Sequence, residues 1–253
     1  MKKITRLSLL FIALSSFLCS AGLADLGPHG ITYTIHNLSA SQAEITWRSD
    51  ETQVCIFCHT PHSGSLDGPL WNRDSPTTAY THYNSASLSA AVKSLGENRA
   101  VSKESLLCLS CHDGSIAVNS LLNQSHLGDP TFWKDPIYIM VLADNANPRI
   151  GASLANWDDT TDLSDDHPIS FSYGPVLTEK NGQFREVSTA EGLGARFFGS
   201  DNRVECSSCH DPHVMYDPDY GGPDNNQLAN EEYRPFLVTS NAGSKLCLAC
   251  HVK

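Results

Sequence analysis

Cys55-Ile56-Phe57-Cys58-His59-Thr60-Pro61-His62 is the stretch whose reading decides how this chain folds. Two cysteines stand three residues apart, a histidine follows the second, and another histidine comes three residues later. The pattern returns as Cys108-Leu109-Ser110-Cys111-His112, as Cys206-Ser207-Ser208-Cys209-His210-Asp211-Pro212-His213, and as Cys247-Leu248-Ala249-Cys250-His251. A doubled-histidine motif thus alternates with a simple one, twice. Nine cysteines occur; eight belong to the motifs, and Cys19 stands apart near the N-terminus.

Three chemistries compete for such pairs. Two C-x-x-C pairs make a tetrahedral zinc site. Cysteines in an oxidising compartment make a disulfide framework. C-x-x-C-H attaches a c-type haem: both thiols add to the porphyrin, and the next residue supplies the proximal imidazole to iron. Only the last demands a histidine directly after every pair. Histidine is 11 of 253 residues, so four such placements by chance have odds of roughly a few in a million. The expected cofactor is therefore haem c, four copies, held by Cys55, Cys58, Cys108, Cys111, Cys206, Cys209, Cys247 and Cys250. The proximal ligands are His59, His112, His210 and His251.

Iron in haem takes a second axial ligand, and its identity sets the chemistry. A second histidine gives a low-potential electron carrier, methionine raises the potential, and an open position admits substrate. Beyond the initiator only Met140 and Met215 are available, whereas seven further histidines are present. Bis-histidine ligation is expected throughout. His62 and His213 cannot reach over the haem of their own motif, so each is assigned to a neighbouring one. His167, before Pro168 in an extended stretch, and His36 complete the distal set. His82, His126 and His29 are the lesser candidates.

The N-terminus does not belong to the fold. Lys2, Lys3 and Arg6 precede the mostly apolar run Leu9–Leu18, and Gly22-Leu23-Ala24 reads as a cleavage site. Residues 1–24 are expected to be a secretory signal peptide. The sequence before Cys19 matches a lipidation site poorly. No later run is long enough for a transmembrane helix. The formal net charge is −11, and loss of three basic residues with the signal makes the mature chain more acidic still. Nucleic acid is an unsuitable partner for such a surface. Other redox proteins, extracellular metal oxides or other electron acceptors suit it.

Residues 25–253 read as one tetrahaem domain, with possible dihaem halves 25–125 and 165–253. The predicted fold class is mostly irregular and loop-rich, with short helices and a few short strands organised around four stacked haems. Pro and Gly total 30 residues, which punctuates the chain heavily. Helices are expected at Leu88–Leu95 and Lys103–Leu109, and strands at 136–142 and 169–173. Trp71, Tyr80, Tyr83, Phe132 and Trp133 suit porphyrin faces or an ordinary core. Acidic clusters at Asp158, Asp159, Asp162, Asp165 and Asp166, and at Asp217, Asp219 and Asp224, suit calcium, but read better as solvated loops in the absence of a D-x-D-x-D-G pattern.

Several phrases together resemble the multihaem c-type cytochromes of metal-reducing, Geobacter-like bacteria. They are Cys55 to His62, Pro69-Leu70-Trp71-Asn72-Arg73, Cys108 to Gly114, Asp165-Asp166-His167-Pro168-Ile169-Ser170-Phe171, Ser208 to His213, and Ser244 to Lys253. With four motifs the chain is similar to the tetrahaem outer-surface members that polymerise into filaments. The resemblance implies bis-histidine haems stacked in alternating parallel and T-shaped pairs. It also implies one distal histidine that crosses to a neighbouring subunit. The function it implies is electron transfer without catalysis, at the outer surface or extracellularly, through a conduit that self-associates. A soluble periplasmic shuttle is the alternative. A multihaem reductase of a small oxyanion is disfavoured by the supply of distal ligands and the shortage of basic residues.

Overall fold

Proline divides the four motifs into two local structures. Pro61 and Pro212 follow the doubled motifs, and proline lacks an N–H and disfavours helix in the residue before it. Cys55 and Cys206 therefore sit on single 3-10 turns, Val54–Phe57 and Cys206–Ser208. The simple motifs lack proline and are preceded by good helix formers. They occupy the C-terminal ends of the α-helices Lys103–His112 and Lys245–Cys250. The description comes from a computed structural model, which describes residues 29–34, 36–41, 49–65, 68–113, 115–116, 118, 120–124, 161–215, 231–233 and 236–253.

Each motif is closed by a backbone turn. The N–H of His59 donates to the carbonyl of Cys55 at 2.8 Å, that of His210 to Cys206 at 3.1 Å, and that of His251 to Cys247 at 2.9 Å. His112 holds the equivalent place in its helix. The two doubled motifs share a longer pattern. Thr60 N–H donates to Leu70 O, and Asp211 N–H to Phe236 O. Asn72 N–H returns to Cys58 O, and Val238 N–H to Cys209 O. Leu70 and Phe236 both adopt left-handed backbone, at φ 53° and 54°, a conformation that is strained for branched or bulky residues. Two segments of unrelated sequence thus cross back under their motifs by the same strained step. Gly64 completes the first crossing: a Cβ there would meet the carbonyl carbon of Leu70 at 2.7 Å.

The remaining elements are short, mixed helix and strand. Among the described residues the strands form three two-stranded pairings. His29–Gly30 runs antiparallel to Val214–Met215, Thr81–His82 parallel to Asp162–Leu163, and Phe171–Ser172 antiparallel to Arg203–Val204. Apolar burial is divided between small clusters. One joins Val92 to Phe171, Tyr173, Val176 and Val204, so residues from both 25–125 and 165–253 meet in it. Another joins Tyr80, Val101 and Leu109 to Leu163. The helix Ala90–Lys93 is capped twice: Ser89 Oγ accepts from Val92 N–H at 3.2 Å, and the Glu179 carboxylate accepts from Ala90 and Ala91 at 2.8 and 2.9 Å.

Local structure departs from the sequence expectation in places. The helix expected at Leu88–Leu95 is confined to Ala90–Lys93, and the one starting at Lys103 runs on to His112. The alternation over 169–173 yields a strand only at Phe171–Ser172; Ser170 takes φ 58° and breaks the extended run. Tyr173 then begins the helix Tyr173–Glu179, whose first turn accommodates Pro175. The strand expected at 136–142, with His126, Met140, Phe132, Trp133, Asp158, Asp159, Asp217, Asp219 and Asp224, lies outside the described residues, as do residues 1–24. Among the described residues no helix is long and apolar enough to cross a membrane.

The Val92–Val176 contact joins the two halves of the chain, so each truncation is felt across both. Val92→Ala and Val176→Ala should each cost about 2 kcal/mol. The double variant should cost less than their sum, because the two side chains share one cluster. Denaturant unfolding followed by far-ultraviolet circular dichroism measures both.

Candidate haem-binding site

Among the described residues, three ring pairs bring a motif histidine to a second histidine. The rings of His59 and His213 stand 6.1 Å apart, with planes 20° from parallel. His112 and His36 stand 6.1 Å apart at 69°. His251 and His167 stand 6.4 Å apart at 79°. Two imidazoles bound on opposite sides of one metal ion, through bonds of about 2.0 Å each, have ring centres roughly 6 Å apart. The spacing of all three pairs fits that arrangement. His62 is exposed, with Nδ1 3.4 Å from Ser63 Oγ, and no ring contact described here brings it to a motif histidine.

Hydrogen bonds select which nitrogen each ring offers. A metal-bound histidine is ordinarily held by a bond from its other nitrogen to a carbonyl or carboxylate. His59 Nδ1 donates to Pro69 O at 2.9 Å, and His167 Nδ1 to Pro168 O at 2.9 Å. His213 Nδ1 lies 3.4 Å from Asp211 Oδ1. In these three rings Nε2 is left for a metal. His36 Nδ1 is buried without a partner, and burial, then the neighbouring His112, His213 and His210, bring its pKa down to about 4. It is therefore neutral at ordinary pH, as a ligand must be. Its ring also packs on Phe236, with centres 4.5 Å apart.

His82 is employed differently. It is buried, and its Nε2 donates to Arg99 O at 3.0 Å, which ties the parallel strand Thr81–His82 to the chain ahead of the helix Lys103–His112. The aromatics divide similarly. Trp71 meets the His59 ring edge-on, with centres 5.5 Å apart. Tyr80 donates to Asp113 Oδ2 at 2.6 Å within the core.

The eight motif cysteines are all free thiols. Consecutive motifs adjoin through them. Cys58 and Cys111 lie within electrostatic reach of each other, Cys108 and Cys206 share a hydrogen bond, and Cys209 lies near Cys250 and Cys247. Burial pushes the Cys58 thiol up to about 12 and the Cys209 thiol up to about 11. Among the described residues no three His, Cys, Asp or Glu side chains converge as a metal site. Tetrahedral zinc needs four such ligands. Iron that brings four equatorial nitrogens of its own needs only the two that each pair supplies. The residues present therefore fit haem.

Sequence reasoning passed over two charged groups beside the motifs. Arg73 is fully buried, and its guanidinium donates to the carbonyls of Ser110, Val118 and Ser120. Glu205, immediately ahead of Cys206, is 1% exposed. It accepts from Ser105 Oγ at 2.6 Å, Ser170 Oγ at 3.2 Å and Arg203 Nε at 3.0 Å. Arginine in an otherwise acidic chain, and an acid adjoining a motif, were the available signals. The chain matches no protein-family model and no curated protein.

Burial, then the positive charge of Arg99, bring the His82 pKa down to about 4, against a donated bond to the Arg99 carbonyl that acts the other way. The unfolded chain protonates this ring near 6.5. Its contribution to stability is therefore complete above pH 6.5 and is lost as pH falls toward 4. His82→Gln, which keeps a donor for Arg99 O, should show a shallower loss of stability than the parent between those values, measured by denaturant midpoints across pH.

Proposed function

We propose that this chain is an exported electron-transfer protein of the multihaem c-type cytochrome kind. Its four C-x-x-C pairs would hold four haems, and the motif histidines together with His36, His167 and His213 would bind their irons. The observation that carries this reading is the set of three histidine pairs with ring centres 6.1, 6.1 and 6.4 Å apart, each with one member directly after a C-x-x-C. When bound, each haem supplies one-electron exchange between ferric and ferrous iron.

The chain's own residues do the rest. The turn closing each motif holds two thiols and an imidazole in register. Pro69 O, Pro168 O and Asp211 fix ring orientation. Adjoining cysteines of consecutive motifs keep the four sites in a contiguous series. Paired imidazoles, as at these three sites, would leave no place on iron for a substrate, which supports a carrier over a reductase. His62 is exposed, which suits a ligand offered to a second copy of the chain, and hence a self-associating conduit that delivers electrons to other redox proteins or extracellular metal oxides.

Purified mature protein should carry the added mass of four haems and a wholly low-spin spectrum. His36→Ala, His167→Ala and His213→Ala should each convert one haem of the four to high spin, while His82→Ala should convert none. Colourless protein, or three variants with unchanged spectra, would refute the reading. Electron micrographs test self-association: fibres of regular repeat are expected, and discrete particles would oppose it.

A further inference from the structure

The fixed charges differ from one attachment site to the next. Arg73 is clamped between the first two. Its neighbour Asn72 donates from N–H to Cys58 O at 2.9 Å and from Nδ2 to Ile56 O at 2.7 Å. Arg73 itself donates to Ser110 O, inside the second motif, at 2.8 Å. The guanidinium lies within electrostatic reach of the Cys58 sulfur, as do Cys111 and Cys55. At Cys111 the same guanidinium is accompanied by the carboxylate of Asp113.

The third site has the opposite surroundings. Arg203 is shared by three carboxylates: Glu104 at 2.7 Å, Asp201 at 3.0 Å and Glu205 at 3.0 Å. One cation against three anions leaves the cluster negative. Ser105 links it directly to the motif, because its Oγ donates to Glu205 and accepts from Cys206 N–H at 3.1 Å. Asp166 adds to the negative field at the Cys206 sulfur. Arg73 and Glu205 are the buried members, and charges removed from water act more strongly on any ion held near them.

We propose that Arg73 and the Glu104–Asp201–Glu205 carboxylates bias the two sites in opposite directions, so that iron held at Cys55–Cys58 has a higher reduction potential than iron held at Cys206–Cys209. This rests on the haem reading above. The change concerned is the gain of one electron by ferric iron to give ferrous iron, with no bond made or broken; in the test an electrode supplies the electron. A nearby cation stabilises the reduced, less positive iron, and nearby anions stabilise the oxidised one. An electron on the chain therefore rests by preference toward the N-terminal motif, and the series has a direction.

The test is a redox titration of the intact four-haem protein, followed by electron paramagnetic resonance. Near-parallel axial rings, as at His59–His213, give a rhombic low-spin ferric signal; crossed rings, as at His36–His112 and His167–His251, give a strongly axial one. Loss of a rhombic signal in His213→Ala identifies the Cys55–Cys58 site. Its midpoint should lie above the one that moves in the double variant Glu104→Gln with Asp201→Asn. Arg73→Gln should shift it downward and Arg73→Lys should largely restore it. Should Arg73→Gln fail to fold, the partly exposed pair Glu104→Gln with Asp201→Asn provides the second reading: it should shift one other midpoint upward and leave the rhombic signal where it was. Four low-spin haems whose midpoints do not move in either variant would overturn the proposal while leaving the haem reading intact. Absence of the haems would overturn that reading instead.

Discussion

The hydrogen bond from each motif histidine's N–H back to the first cysteine's carbonyl is the constraint on which the rest depends. It converts a spacing in sequence into a closed backbone turn that fixes where the two cysteines and the histidine leave the chain. Without it the pairings across the chain would have nothing to register against. His213 meets His59 across more than a hundred residues because both doubled motifs close the same turn and then cross back by the same left-handed step at Leu70 and Phe236. The cost of that step is borne by bulky residues twice, which marks it as a geometric requirement and not an accident of one loop.

Proline, leucine and alanine write the difference between the two motif types. A proline two residues beyond His59 or His210 ends any helix and leaves the second histidine, His62 or His213, exposed. Leu109 and Ala249 sit at 0% exposure inside helical motifs and pack the simple sites against their surroundings. Among the described residues apolar burial elsewhere is divided into small clusters. Clusters of that size stabilise a fold weakly unless something further ties them together.

The candidate site is legible in sequence as a spacing: eight cysteines and four histidines stand out by it alone. The seven further histidines are legible as candidates, but which of them face a motif histidine is a property of long-range packing. His36 facing His112, and His167 facing His251, could not be read from spacing. His82 illustrates the converse. It looks like a ligand in sequence, yet its Nε2 is taken by a carbonyl. Arg73 and Glu205 were invisible because a charge acquires meaning only when burial removes its water. The strand expected at 169–173 was cut short by Ser170, whose backbone no alternation rule foresees.

The link between Ser105 and Glu205 spans 100 residues and has a consequence for biogenesis. Loop closure of that length is slow to reward. It brings Cys108 and Cys206 together, close enough to share a hydrogen bond. Any chemistry that needs both thiols of a motif accessible has to precede that closure. The order is then fixed: reaction at the cysteines on an open chain first, docking of the distant segments last.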